Sequence, residues 1–166
     1  MDSLSKIKTR DALTAVRADL AAQGQVVVFT NGCFDILHRG HVEYLEKARQ
    51  YGDALVIGLN SDDSVRRLKG AYRPLVPEAD RAFLLAALAA VDYVTIFPED
   101  TPQSLIEALQ PDVLVKGGDY QFNTIVGREV VEKHGGKVLT IPLVPNRSTS
   151  NIIQTIVDLT KQGIFN

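Results

Sequence analysis

Short, unbroken apolar runs that alternate with helix-like segments leave this chain few folds to choose from. Strand-like runs are expected at Gln25–Thr30, Ala54–Leu59, Tyr93–Phe97, Val113–Lys116 and Val138–Ile141. Between them the spacing predicts helices at Val42–Tyr51, Ser61–Leu68, Glu78–Val91, Pro102–Leu109 and Gly127–Lys133, with a last one from about Thr149 to Thr160. A further amphipathic helix, Arg10–Ala22, precedes the first strand; Leu13, Val16 and Leu20 recur at three- and four-residue steps and Gly24 ends it. Strands that are apolar at every position are covered on both faces, and a strand–helix alternation supplies the covering helices. The expected fold is therefore α/β, a doubly wound parallel sheet of about five strands with helices on both faces. Residues 1–166 read as one domain, with helix 10–22 packed on it.

Composition narrows the class. Lys and Arg total 18 against 20 Asp and Glu, a net charge of −2, which argues against a nucleic-acid partner. The longest apolar run, Phe83–Val91, is nine residues, whereas a membrane span needs about 20, so no membrane partner is expected. One cysteine, Cys33, excludes an internal disulfide and suits a reducing compartment; with no signal-like apolar stretch at Met1–Arg10, the expectation is a soluble cytoplasmic protein. The segment Glu78–Val91 is apolar nearly all round, which implies burial or a contact between copies.

Open parallel sheets bind ligands at the carboxyl ends of their strands. The first strand runs into Thr30-Asn31-Gly32-Cys33-Phe34-Asp35 and then Ile36-Leu37-His38-Arg39-Gly40-His41. Gly32 permits a tight turn, and Gly40 admits close approach where the helix starts. A helix start offers N–H groups and partial positive charge to an anion. His38 and His41 lie one helical turn apart, so both rings can face the same side. Three readings fit these residues: ordinary surface or capping histidines, a zinc site with Cys33, or a nucleotide phosphate site. The zinc reading lacks a fourth ligand, since His134 is distant in sequence. The chain has neither Gly-x4-Gly-Lys-Ser/Thr nor Gly-x-Gly-x-x-Gly, which removes support from kinase-type and dinucleotide readings.

Thr30 to His41 resembles the strand–loop–helix signature of the HxGH nucleotidyltransferase superfamily. Its Asn-Gly-Cys-Phe-Asp form is similar to the adenylyltransferase branch that makes ADP-heptose. Matches continue to about Ile156. Lys116-Gly117-Gly118-Asp119-Tyr120 resembles a Gly-Asp-aromatic element of the family, and Arg147-Ser148-Thr149-Ser150 its second nucleotide signature. Read alone, the first is a plain turn and the second an N-cap cluster.

The resemblance implies a Rossmann-like sheet and transfer of AMP from ATP to D-glycero-D-manno-heptose 1-phosphate, releasing pyrophosphate, for lipopolysaccharide core or related glycans. It implies His38, His41 and Lys69 as catalytic donors. It assigns Asn31, Gly32, Cys33, Phe34, Gly40, Lys116, Gly117, Asp119, Arg147, Ser148, Thr149 and Ser150 to the nucleotide. Asp35, Lys69 and Arg81 would meet the sugar phosphate, although a helix-start ion pair with Glu78 accounts for Arg81 equally well. Mg²⁺ would arrive with the triphosphate, no metal ligand set is expected, and a homodimer or higher homo-oligomer is implied. A CTP-dependent cytidylyltransferase for glycerol or amino-alcohol phosphates, or a non-catalytic nucleotide-binding module, stays open at this point.

Overall fold

The computed structural model describes residues 2–118 and 121–164. Its elements in chain order are α1 (Ser3–Lys6), α2 (Arg10–Ala22), β1 (Val27–Gly32), α3 (Arg39–Arg49), β2 (Ala54–Asn60), α4 (Asp62–Lys69) and α5 (Glu78–Ala86), then β3 (Tyr93–Phe97), α6 (Gln103–Leu109), β4 (Val113–Gly117), a 3-10 turn at Phe122–Thr124, α7 (Arg128–Lys133), β5 (Lys137–Ile141) and α8 (Thr149–Lys161). All five strands are parallel, in the order β3-β2-β1-β4-β5. Strand order reverses between β1 and β4, so their carboxyl ends open the crevice in which such sheets bind ligands.

The period of two along each strand sends neighbouring side chains to opposite faces. Val28, Leu55, Ile57 and Leu59 join Leu45 and Ala48 of α3 and Ala82, Leu85 and Ala86 of α5 in one core. Val27, Phe29, Val56 and Leu114 join Leu13 of α2, Leu105, Ile106 and Leu109 of α6 and Val131 of α7 in the other. Each fully covered Leu, Ile or Phe contributes roughly 1.5–3 kcal/mol; the central strands β2 and β4 are buried at every position, whereas edge strand β5 leaves Lys137 and Thr140 exposed.

Three boundaries differ from expectation in ways that matter. β1 begins at Val27, because Val26 is occupied with Asp53: its N–H donates to that carboxylate and its carbonyl accepts from the Asp53 and Ala54 N–H groups. The strand then runs through Asn31 and Gly32, which pair with Gly58 and Leu59. α3 starts three residues earlier than the expected Val42, because extended His38 caps it and its carbonyl accepts from the His41 and Val42 N–H groups. α5 ends at Ala86 instead of Val91; beyond it, Lys6 Nζ captures the Leu88 and Val91 carbonyls at 3.3 and 2.7 Å. Phe83 and Leu84 stay about half exposed on its outer side, and α8 buries no residue at all.

Candidate active site

The crevice at the β1–β4 junction holds two adjoining cavities. The smaller, about 250 Å³, is lined by His38, Gly40 and Tyr44 of α3, Gly117 of β4, Leu143 and Val144, and Arg147 and Ser148 before α8. The larger, about 450 Å³, is lined by Asp35, Asn60, Leu68, Lys69, Arg73, Asp100, Thr101, Thr124, Val126 and Ser150, among others. Asn31, Gly32, Cys33, Phe34, His41, Lys116 and Thr149 line both and form the shared wall. One chamber offers apolar side chains beside a guanidinium; the other is rich in polar groups and cations.

The wall is built by backbone geometry. Phe34 sits at φ +44, a left-handed conformation uncommon for a bulky residue, and packs its ring edge-on to His41 at 5.1 Å. A side chain at Gly32 would bring a Cβ to 3.0 Å from that ring. At Gly40 a Cβ would press on the His38 ring and on Arg147 Cβ, each at 3.1 Å, so glycine is what lets α8 and the α3 start close together. Thr30 Oγ1 and the Tyr44 hydroxyl are 2.7 Å apart, and that hydroxyl donates to the Val115 carbonyl, tying β1, α3 and β4 together beneath the wall.

His38 and His41 stack with centroids 3.8 Å apart and planes 19° from parallel. Burial, together with neighbouring His38, holds His41 down to about 4. His38 is also lowered, first by burial and then by the Arg147 guanidinium. Both rings are therefore neutral at pH 7 in the free protein, and each presents one N–H donor. Among the described residues their buried Nδ1 atoms have no hydrogen-bond partner.

Among the described residues no group of three His, Cys, Asp or Glu is placed to hold a metal. Burial is the chief cause that pushes the Cys33 thiol up, which keeps it protonated in the free protein.

Two expected site residues are tied into the protein itself. Arg81 is fully buried and donates to the Val76 carbonyl (2.9 Å), the Cys33 carbonyl (2.5 Å), the Asn60 carbonyl (3.0 Å) and the Asp62 carboxylate (2.7 Å). These donors are committed inside the protein, where they brace the crevice from behind. Its ion pair is with Asp62, not Glu78, whose carboxylate accepts from the Asp62 N–H. Asp35 is equally enclosed: its carboxylate accepts from Arg73 Nε and from the Leu75 and Val76 N–H groups, pinning the 70–77 loop. It holds that loop at the larger cavity, which it also lines.

Ser148 uses its hydroxyl to cap α8, accepting from the Asn151 N–H at 3.1 Å, while Thr149 Oγ1 donates to the Ile36 carbonyl at 3.3 Å. Both still line the cleft, with Ser150 beside them at the N-terminus of a 13-residue helix. Lys69 ends α4 and reaches the larger chamber. Asp119 and Tyr120 lie outside the described residues. Sequence reasoning missed Arg73 and Thr124 in the larger chamber and Tyr44 in the smaller. For Arg73 a signal exists: it is a second cation in the 70–77 loop that Lys69 leads into.

The Cytidylyltransferase-like family profile matches residues 29–160. The chain is 58% identical over 159 residues to the "Bifunctional protein HldE" of Syntrophotalea carbinolica, covering 96% of this chain and 32% of that protein. It is 61% identical over 155 residues to the protein of that name from Geotalea uraniireducens, covering 93% and 32%. The chain thus spans about a third of the length of the curated relatives it matches. A lipopolysaccharide core biosynthesis protein from Thermoplasma volcanium superposes with a TM-score of 0.61 at 28% identity, covering 73% of this chain and 98% of that one. A pantoate-beta-alanine ligase from Francisella tularensis does so with a TM-score of 0.60, covering 92% and 78%; at 15% identity that likeness speaks for the fold alone. The matched segment carries the strand ends that build this cleft, and the chain belongs to the cytidylyltransferase-like family.

Proposed function

We propose that the chain is an adenylyltransferase that moves AMP from ATP to D-glycero-D-manno-heptose 1-phosphate. A phosphate oxygen of the sugar attacks the α-phosphorus of the triphosphate; the new P–O bond forms as the bond to the bridging oxygen breaks, and pyrophosphate leaves. The products are ADP-heptose and pyrophosphate, the former a precursor suited to lipopolysaccharide or a related glycan. The acceptor is already anionic at neutral pH, so the protein's task is to align two anions and stabilise charge at the reacting centre.

The single observation that carries this reading is the wall shared by the two cavities, with His41, Lys116 and Thr149 facing both. The nucleoside fits the smaller chamber against Leu143, Val144 and Gly117, with its phosphates toward Arg147 and the α8 start. The sugar phosphate fits the larger one, where Lys69 and Arg73 supply positive charge. Neutral His38 and His41 donate to phosphate oxygens and gain basicity as the anion arrives. Mg²⁺ enters as the counter-ion of ATP, part of the substrate. Adenine over cytosine rests on the resemblance of the Asn-Gly-Cys-Phe-Asp segment to the ADP-heptose branch and on the HldE relatives.

The test is pyrophosphate release from the isolated chain with ATP or CTP against a panel of heptose 1-phosphate, glycerol phosphate and amino-alcohol phosphates. The expected result is release only with ATP and the heptose phosphate. Preference for CTP would reassign it as a cytidylyltransferase, and ATP binding without acceptor-dependent release would make it a nucleotide-binding module. Turnover by residues 1–166 alone would also establish that they act as one functional domain.

We assign the protein to the cytoplasm, in keeping with the free thiol of Cys33; no described helix is long and apolar enough to cross a membrane. A second copy is the proposed cover for the outer side of α5, where Phe83 and Leu84 are each 46% exposed. Sedimentation should give a dimer or larger, and Phe83→Glu with Leu84→Glu should shift it to monomer; an unchanged assembly would place the interface elsewhere.

A further inference from the structure

Asn31 and Lys116 stand at the ends of β1 and β4, on either side of the reversal in strand order. Lys116 is 5% exposed, and Nζ donates to Asn31 Oδ1. Burial lowers its amine to about 8, which leaves it mostly charged at neutral pH. Both residues line both chambers, so the pair is the cleft floor at the point where the two substrates would meet.

A carboxamide has an acceptor end and a donor end of nearly the same shape, and a half-turn of its last torsion exchanges them. An ammonium group has donors only. Held against Asn31, it accepts one of the two orientations: oxygen toward the lysine, NH₂ turned away from it. A phosphate oxygen is attracted by the donor end and repelled by the acceptor end. The amide alone cannot settle which it shows.

We propose that Lys116 is a positioning residue that sets the polarity of Asn31, so that the carboxamide presents its N–H groups to phosphate in the shared wall. The inference rests on reading the cleft as a phosphate-transfer site. Its content is a coupling: Lys116 acts on the phosphate through Asn31, so the effect of losing the ammonium shrinks once the carboxamide is gone.

The experiment is a double-mutant cycle over Lys116→Met and Asn31→Leu, with Lys116→Arg as the conservative variant and Lys116→Gln in reserve should the Met variant unfold early in a thermal melt. Each protein is assayed for kcat and for KM toward ATP and the heptose phosphate, and separately for ATP dissociation by calorimetry. Lys116→Met should cut kcat/KM at least tenfold when Asn31 is present and at least threefold less than that when it is made on top of Asn31→Leu, and Lys116→Arg should recover most of the loss. Equal losses in the two backgrounds, or a Lys116→Met protein within twofold of wild type, overturn the proposal. If wild type turns nothing over, the same cycle read on ATP dissociation decides it: non-additive losses keep the lysine–amide coupling while the reaction is reassigned, and additive ones remove it.

Discussion

Replacing His41 with alanine is expected to lower turnover about 10²–10³-fold while the protein stays folded, if the loss of one oxyanion-type donor is a guide. His41 lies in the first turn of α3, stacks on His38 and faces both chambers. Removing it deletes a donor at the shared wall without opening either core, since the ring belongs to neither. Steady-state kinetics with circular dichroism on the same samples checks both halves. Turnover within threefold of wild type would mean that the ring does not meet the reacting phosphate.

The same substitution carries a pH signature. A His41 held near 4 in the fold and at an ordinary value in the unfolded chain binds fewer protons when folded, so stability falls as pH drops from 6.5 toward 4. His41→Ala should flatten part of that fall in urea titrations at pH 7 and pH 4.5, leaving the smaller contribution of His38.

Replacing Arg81 with methionine is expected to cost about 3–5 kcal/mol of stability, the range for breaking a buried ion pair by removing one partner. That is a large part of the roughly 5–15 kcal/mol available to a domain. The substitution leaves the carbonyls of Cys33, Asn60 and Val76 without their donor and the Asp62 carboxylate without its cation. These groups come from the ends of β1 and β2, the start of α4 and the 70–77 loop, so the crevice should loosen together with the fold. For a chain of this size the melting temperature should fall by about 10 °C, at 2–4 °C per kcal/mol. A variant as stable as wild type, changed only in KM for the sugar phosphate, would return Arg81 to the substrate.

The Arg81 result marks where reading along the chain stops. Its neighbours Pro77, Glu78 and Asp80 suggest a helix start and a local pair, and α5 does begin there. The residue's partners are Asp62, 19 positions away, and Cys33, 48 positions away. Asp35 is the same case: it sits inside the signature segment, yet its partners are Arg73, Leu75 and Val76, about 40 residues on. A buried charge selects whichever opposite group the fold delivers to it. Spacing in the chain carries no trace of that choice.

Local periodicity fixed what it physically controls. Unbroken apolar runs require two covered faces, which is why the five strands and most helices lie where the pattern puts them, and the crevice follows from the position of strand ends. His38 and His41 do meet, but through the extended cap and first turn of α3 and not along one helical face, since His38 lies outside the helix. Packing decided the rest. The left-handed Phe34, the neutral stacked imidazoles, the enclosed Arg81 and Asp35, and the Asn31–Lys116 floor all depend on groups brought together across the sheet. Burial and partner choice exist only once the chain has closed on itself.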